Sequence, residues 1–391
     1  MDGAREAPAC ARGRAGTNCS RQRLVLGAMV LAFAGSLAAS DADAAYRRQK
    51  VRQVEREVIT APVRDPEGPL QIVVSIGSQR LFVYDKAGLL VASTISTGVG
   101  GYPTPTGVFA VLDKEKQHYS NIYGGASMPF MQRLTMSGVA LHSGMVTGRP
   151  ASHGCIRLPH NFAIQLYQLT RLGARVMIAP DAPVPADITH ARLFARSPPP
   201  PAEPETRPAS AATGVAVAGA LDVDKGVATS RIYKVTAERN ALLDTLPVSV
   251  LVSKHEGKVF ARHGFKPLFD APVVFREPER LLGTHIYTAV EFKDDSNTAM
   301  RWQVVSMPPD SGVSANTKVS RASRSEAEAM LPLASGPPAT AAEALDRIEL
   351  PLEALERISR MLSPGASLII SDHGFNREMR ASGTDFIVLT R

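Results

Sequence analysis

Cysteine, aromatic residues and long apolar runs are all scarce in this 391-residue chain. Its three cysteines are Cys10, Cys19 and Cys155. The first two lie in a leader: Arg21 and Arg23 precede the apolar stretch Leu24 to Ala34, and small residues follow down to Ala42-Asp43-Ala44. A basic flank, a short apolar core and an A-x-A site describe a secretory signal peptide over residues 1–44. The apolar stretch is too short for a membrane span, so a membrane association is expected only through this segment if it is uncleaved. No cysteine follows it at a lipoprotein position. The expectation is export to the periplasm or cell envelope. Cleavage after Ala44 leaves Cys155 alone, which excludes an intramolecular disulfide in an oxidising compartment. Aromatic residues make up 6%, with one tryptophan, Trp302, read as core packing. The net charge of +7 is spread out and is not interleaved with aromatics, so nucleic acid is not an expected partner.

The lone mature cysteine sits in the run Ser152-His153-Gly154-Cys155-Ile156-Arg157, with His142 upstream. A thiol attacks only as the thiolate, and a nearby imidazole supplies a base that titrates near neutral pH. Gly154 leaves the backbone bare beside the sulfur, where N–H groups can face a developing oxyanion. Ser143 follows His142 and can orient its ring through hydroxyl or backbone. Arg157 offers a fork suited to a substrate carboxylate. The pattern points to acyl transfer on a cysteine. Metal binding by His142, His153 and Cys155 lacks a fourth ligand at regular spacing, so no metal is expected.

Composition divides the mature chain. Residues 45–68 are charged, 69–180 form a β-rich globular segment, 181–229 a Pro/Ala-rich linker, and 230–391 a second globular segment with a polar excursion near 307–342. Within 69–180, strands are expected at 70–76, 80–84, 89–96, 107–112, 139–142 and 175–179, with a helix over 161–172. The expected class is mainly β, or α+β, with a β-sandwich-like arrangement. Residues 250–290 echo 72–111 in the order strand, turn, strand, turn, strand, loop. The second segment therefore reads as a possible cysteine-less, degenerate repeat, in which Ser371-Asp372-His373-Gly374 is a turn.

His142, Ser152-His153-Gly154-Cys155-Ile156-Arg157 and the upstream loop Pro103-Thr104-Pro105-Thr106-Gly107 together resemble the L,D-transpeptidase catalytic domain, the YkuD-like family. The likeness covers residues 69–180. The gap between His142 and Ser152 is shorter than in many members. The resemblance implies that Cys155 attacks the L-centre carbonyl of a peptidoglycan tetrapeptide stem, with His142 as proton donor and acceptor. Ser143, His153 and Gly154 would orient the groups or hold the oxyanion, and Ser152 and Arg157 would bind substrate. D-alanine would leave, and an amine on a second stem would resolve the thioester into a 3-3 cross-link. Water as acceptor would make the enzyme an L,D-carboxypeptidase, and a lysine of an envelope protein would make it an anchoring enzyme. The family needs no metal or organic cofactor. A papain-like peptidase is disfavoured because there the cysteine precedes its histidine. The remaining alternative is a non-catalytic cell-wall-binding protein.

Overall fold

The run Gln71–Ser75 (β1) is buried at every position, the pattern of a strand covered on both faces. β1 pairs antiparallel with β2 (Arg80–Asp85) and parallel with β9 (Arg175–Ala179). β3 (Gly88–Thr94) continues beyond β2, and β4 (Thr106–Ala110) lies antiparallel beside β9. This is a computed structural model, and it describes residues 64–196, 238–309, 337–380 and 383–390. The expected signal peptide, most of the charged segment, most of the linker and the centre of the polar excursion lie outside the described residues.

A smaller sheet carries the candidate site, in the order β5 (Asp113–Glu115), β6 (Met131–Arg133), β7 (Ala140–Ser143) and β8 (Ile156–Leu158). Helix α1 (His160–Leu169) follows at once, entered through Pro159, whose fixed φ suits a helix start. Phe162, Ala163 and Leu166 form its buried face. The helix stops earlier than expected. Thr170 turns extended and bonds through Oγ1 to Leu166 O (2.8 Å) and Gln132 Oε1 (2.7 Å), while Lys114 Nζ donates to the helix-end carbonyls of Tyr167 and Thr170.

Five strands of the second half share the order and senses of five strands of the first. The strands of the second half are β11 (Ser249–Ser253), β12 (Lys258–His263), β13 (Lys266–Pro272), β14 (Val274–Phe275), β15 (Thr284–Phe292), β16 (Met300–Ser306), β17 (Ile348–Glu349) and β18 (Ser367–Ser371). The order β15-β18-β11-β12-β13 matches β4-β9-β1-β2-β3, with the same parallel and antiparallel senses. Registers agree too: Gln71 opposite Tyr84 answers to Ser249 opposite Arg262, and Gln71 opposite Arg175 to Ser249 opposite Ser367. Helix α3 (Leu352–Arg360) extends the correspondence, whereas α2 (Ala341–Asp346) answers to no helix of the first half among the described residues. α3 is entered through Pro351 as α1 is through Pro159. Trp302 is buried on β16, edge-on to Phe194.

That correspondence locates the counterpart of Cys155. Leu158-Pro159 through Gly173-Ala174-Arg175 lines up without a gap on Leu350-Pro351 through Gly365-Ala366-Ser367. The antiparallel bridge Ser96 to Arg157 is matched by Val274 to Glu349. Three residues before Leu350 stands Arg347, where the first half has Cys155. Its guanidinium, 6% exposed, donates to the carbonyls of Arg276 (3.3 Å), Glu277 (2.7 Å), Arg280 (2.7 Å) and Leu281 (2.9 Å). The position of the thiol is thus taken by a structural arginine that pins one loop. His373 lies elsewhere, after β18, where Asp372 accepts the N–H groups of Leu282 and Gly283. Arg347→Met should keep the apolar stem but leave four carbonyls without their donor. The expected loss is about 2–4 kcal/mol of stability, read as a lowered denaturant midpoint; an unchanged midpoint contradicts this role.

The two halves are not separate bodies, because each sends a strand to the other's sheet. β10 (Ala186–Ile188), inside the expected linker, pairs with β16. β19 (Val388–Thr390), near the end of the chain, pairs with β4. One apolar core runs through both, including Ile72, Val176, Leu251, Ile286, Ile369 and Phe386. At the junction Arg175 bonds to Ser249 Oγ (2.8 Å), Ser367 Oγ (2.7 Å) and the Asp385 carboxylate (3.0 Å).

Candidate active site

β7 and β8 run parallel with Leu141 opposite Ile156 and His142 opposite Arg157. Side chains alternate along a strand, and Ile156 and Leu158 are buried beneath. Arg157 and His142 therefore share the opposite face, and one alternation back from Arg157 brings Cys155 to that face. The parallel pair thus puts Cys155 and His142 on one face of the small sheet although eight residues, 144–151, separate the end of β7 from Ser152.

His142 is buried, and its Nδ1 lies 2.8 Å from the carbonyl of Ser143. A carbonyl only accepts, so Nδ1 carries the hydrogen and the neutral ring keeps its lone pair on Nε2. Orientation thus comes from the Ser143 backbone. The Ser143 hydroxyl turns away to His160 Nδ1 (3.1 Å). Burial holds the His142 imidazole below its ordinary pKa, and the charge of Arg157 and neighbouring His118 push the same way; the hydrogen bond to Ser143 opposes them. Burial raises the Cys155 thiol above its ordinary value, opposed by the Ala140 N–H and the Arg157 charge, both of which favour the thiolate. Both shifts favour the neutral forms, thiol and imidazole. Cys155 Sγ is 3.6 Å from the Gly138 carbonyl, within reach of a weak S–H bond.

The loop before the sulfur is laced from within. Ser152 is buried; its Oγ donates to Cys155 O (2.5 Å) and accepts the Gly154 N–H (3.2 Å). This corrects two expectations. Ser152 shapes the loop where substrate binding was expected of it, and the Gly154 N–H already has a partner where an oxyanion donor was expected. Gly154 is required for another reason, its φ of +108°. Thr104 ties this loop to the glycine-rich one, donating from Oγ1 to Gly154 O (2.9 Å) and accepting the Gly98 N–H (2.8 Å). The loops meet so closely that a Cβ on Gly98 would lie 3.0 Å from the Cα of Gly154. His153 is exposed, its ring between Tyr102 (centroids 4.8 Å apart) and Tyr123 (5.2 Å). It forms part of the rim of the site. Tyr102, Ile122, Tyr123 and Met136 are exposed apolar side chains on the loops around the thiol.

Sequence reasoning missed Thr104, Gly138, His118 and Tyr123. Thr104 lies within the Pro-Thr-Pro-Thr-Gly motif and was within reach of it. The other three carry no local pattern and become visible only through the sheet.

Residues 69–178 match the L,D-transpeptidase catalytic domain (YkuD). This segment of the chain belongs to that family. A curated relative, the putative L,D-transpeptidase YkuD of Bacillus licheniformis, is 25% identical over 129 residues, 32% of this chain and 75% of the relative. Among solved structures, an L,D-transpeptidase from Stackebrandtia nassauensis is 24% identical with a TM-score of 0.27, covering 33% of this chain and 64% of that one. The L,D-transpeptidase from Mycobacterium smegmatis gives 24% identity and a TM-score of 0.27, over 28% of this chain and 58% of that one. The chain thus spans less than two thirds of either solved protein. The L,D-transpeptidase segment ends where β9 does, so the second half of the chain lies outside the match.

Proposed function

We propose that this protein is an exported, cysteine-dependent peptidoglycan L,D-transpeptidase. The observation that carries the reading is the placement of Cys155 and His142 on one face of the β7–β8 pair, with the ring anchored through Nδ1 so that Nε2 is the free base. In this reading Cys155 Sγ attacks the carbonyl of the L-centre residue of a tetrapeptide stem as its proton passes to His142 Nε2. The Cys155 N–H faces the oxyanion, since the Gly154 N–H is held by Ser152. The imidazolium returns its proton to the departing amine of D-alanine, leaving a thioester on Cys155. An amine of a second stem then attacks, His142 takes its proton, and the sulfur leaves as the new amide forms. Arg157, on the same face, suits the stem's carboxylate. The exposed tyrosines form the walls against which the stem lies.

The test is a product analysis on the secreted protein with a tetrapeptide stem. Release of D-alanine with stems joined through their third residues is the expected result. Free tripeptide as the only product would assign water as the acceptor, and a product on a protein lysine would assign anchoring. Absence of D-alanine release and of any covalent adduct would reject the reading in favour of a wall-binding protein.

A further inference from the structure

We propose that Glu378 is a positioning residue for Cys155, acting on the nucleophile from the other half of the chain. The inference rests on the acyl-transfer reading above. The turn between β6 and β7 runs from Thr135 to Val139. It is closed by Gly138 N–H to Thr135 O (3.3 Å) and Val139 N–H to Thr135 Oγ1 (2.9 Å), and Gly138 sits at a φ of +102°. This turn presents the Gly138 carbonyl to Cys155 Sγ at 3.6 Å. Two residues on is Ala140, whose N–H favours the thiolate. The sulfur's immediate polar surroundings therefore depend on where the turn lies.

Two N–H groups at the tip of the turn, those of Met136 and Ser137, both donate to the Glu378 carboxylate, at 2.6 Å and 3.2 Å to Oε2. Hydrogen bonds to an ionised acceptor are among the strong ones. The helix that carries the carboxylate is itself anchored. Glu378 lies on α4 (Arg377–Arg380), whose Met379 is buried in the shared core. Asn376 caps the helix, accepting the Met379 N–H (3.1 Å) and donating to Ile387 O (2.6 Å). Arg262 ties down the carbonyls of Met379 (2.9 Å), Thr384 (2.7 Å) and Asp385 (3.0 Å). The half that carries Arg347 in place of a nucleophile thus serves the nucleophile of its partner half. Its framework reaches, through one carboxylate, the turn that touches the sulfur.

The experiment compares full-length wild type, Glu378→Ala and Glu378→Gln, with Glu353→Ala as a control on an exposed helix face. Intact mass follows two rates at Cys155: alkylation by iodoacetamide and acylation by a carbapenem. In Glu378→Ala both rates should fall by about ten- to a hundredfold, the scale of an ångström-sized misplacement. The melting temperature should change little, because the contact lies at the surface. Glu378→Gln keeps an acceptor oxygen but loses the charge, and should fall several-fold. Wild-type rates in both variants overturn the proposal. If the alanine variant does not fold, wild-type rates in the glutamine variant alone overturn it. A wild type that alkylates but takes no acyl group defeats the acyl-transfer reading instead, and the alkylation rates still decide the role of Glu378.

Discussion

Cys155→Ala will form no adduct with a tetrapeptide stem or a carbapenem, and His142→Gln will form it about 10²–10⁴-fold more slowly than wild type at neutral pH. The asymmetry follows from the resting protonation states. Burial raises the thiol above 9.0, so few molecules carry a thiolate at pH 7 and reaction depends on a base that removes the proton as attack proceeds. In the proposed reaction His142 is that base, and burial favours its neutral form, lowering its pKa from the ordinary 6.5. The acid limb of the wild-type profile should therefore fall below pH 6.5, as protonation removes the lone pair on Nε2. His142→Gln should lose that limb. Its rate should instead rise steadily with pH as the thiol ionises unaided, so that the gap to wild type narrows in alkaline solution. A variant with a wild-type acid limb would remove His142 from the base role, and adduct on Cys155→Ala would remove the thiol.

The candidate site was legible because it is written locally. A cysteine, its glycine and its neighbouring histidine are adjacent in sequence, and the strand that presents His142 announces itself by the short apolar run Val139-Ala140-Leu141. The hairpins of both halves were legible for the same reason, and the echo of 72–111 in 250–290 coincides with the registers of β1, β2, β11 and β12. What escaped was long-range. Arg347 has no resemblance to a cysteine motif, and only the gap-free alignment of the two helices with their following strands, fixed by the Val274–Glu349 bridge, gives it its position. Ala186–Ile188 reads as spacer because three residues next to a Pro-rich stretch carry too little pattern to mark a strand. Ser152 reads as a substrate contact until its burial shows both bonds of its hydroxyl turned inward. Glu378 is one carboxylate among many until its helix is seen beside the Thr135 turn.

The strand exchange gives the second large effect: a chain stopped after Gly383 will not fold, and its catalytic segment will show neither a melting transition nor adduct formation. The deletion is short, but it removes β19 from the edge of β4 and takes Phe386, Ile387 and Val388, all fully buried, out of the common core. Each such side chain is worth about 1.5–3 kcal/mol. Asp385 goes with them, leaving Arg175 buried without its counter-charge, a change that costs about 3–5 kcal/mol where one partner of a buried pair is lost. Together these losses are comparable to the roughly 5–15 kcal/mol that holds a domain folded. The same reasoning governs any attempt to isolate the transpeptidase segment by cutting at the Pro-rich stretch. The family match ends at residue 178, but the fold does not, because the six-stranded sheet of the first half takes its edge strand from the far end of the chain. Circular dichroism and limited proteolysis on the truncated chain read the outcome directly. A cooperative transition at the wild-type temperature, with Cys155 still acylated, would show that the second half is dispensable and that the exchanged strand only decorates the sheet.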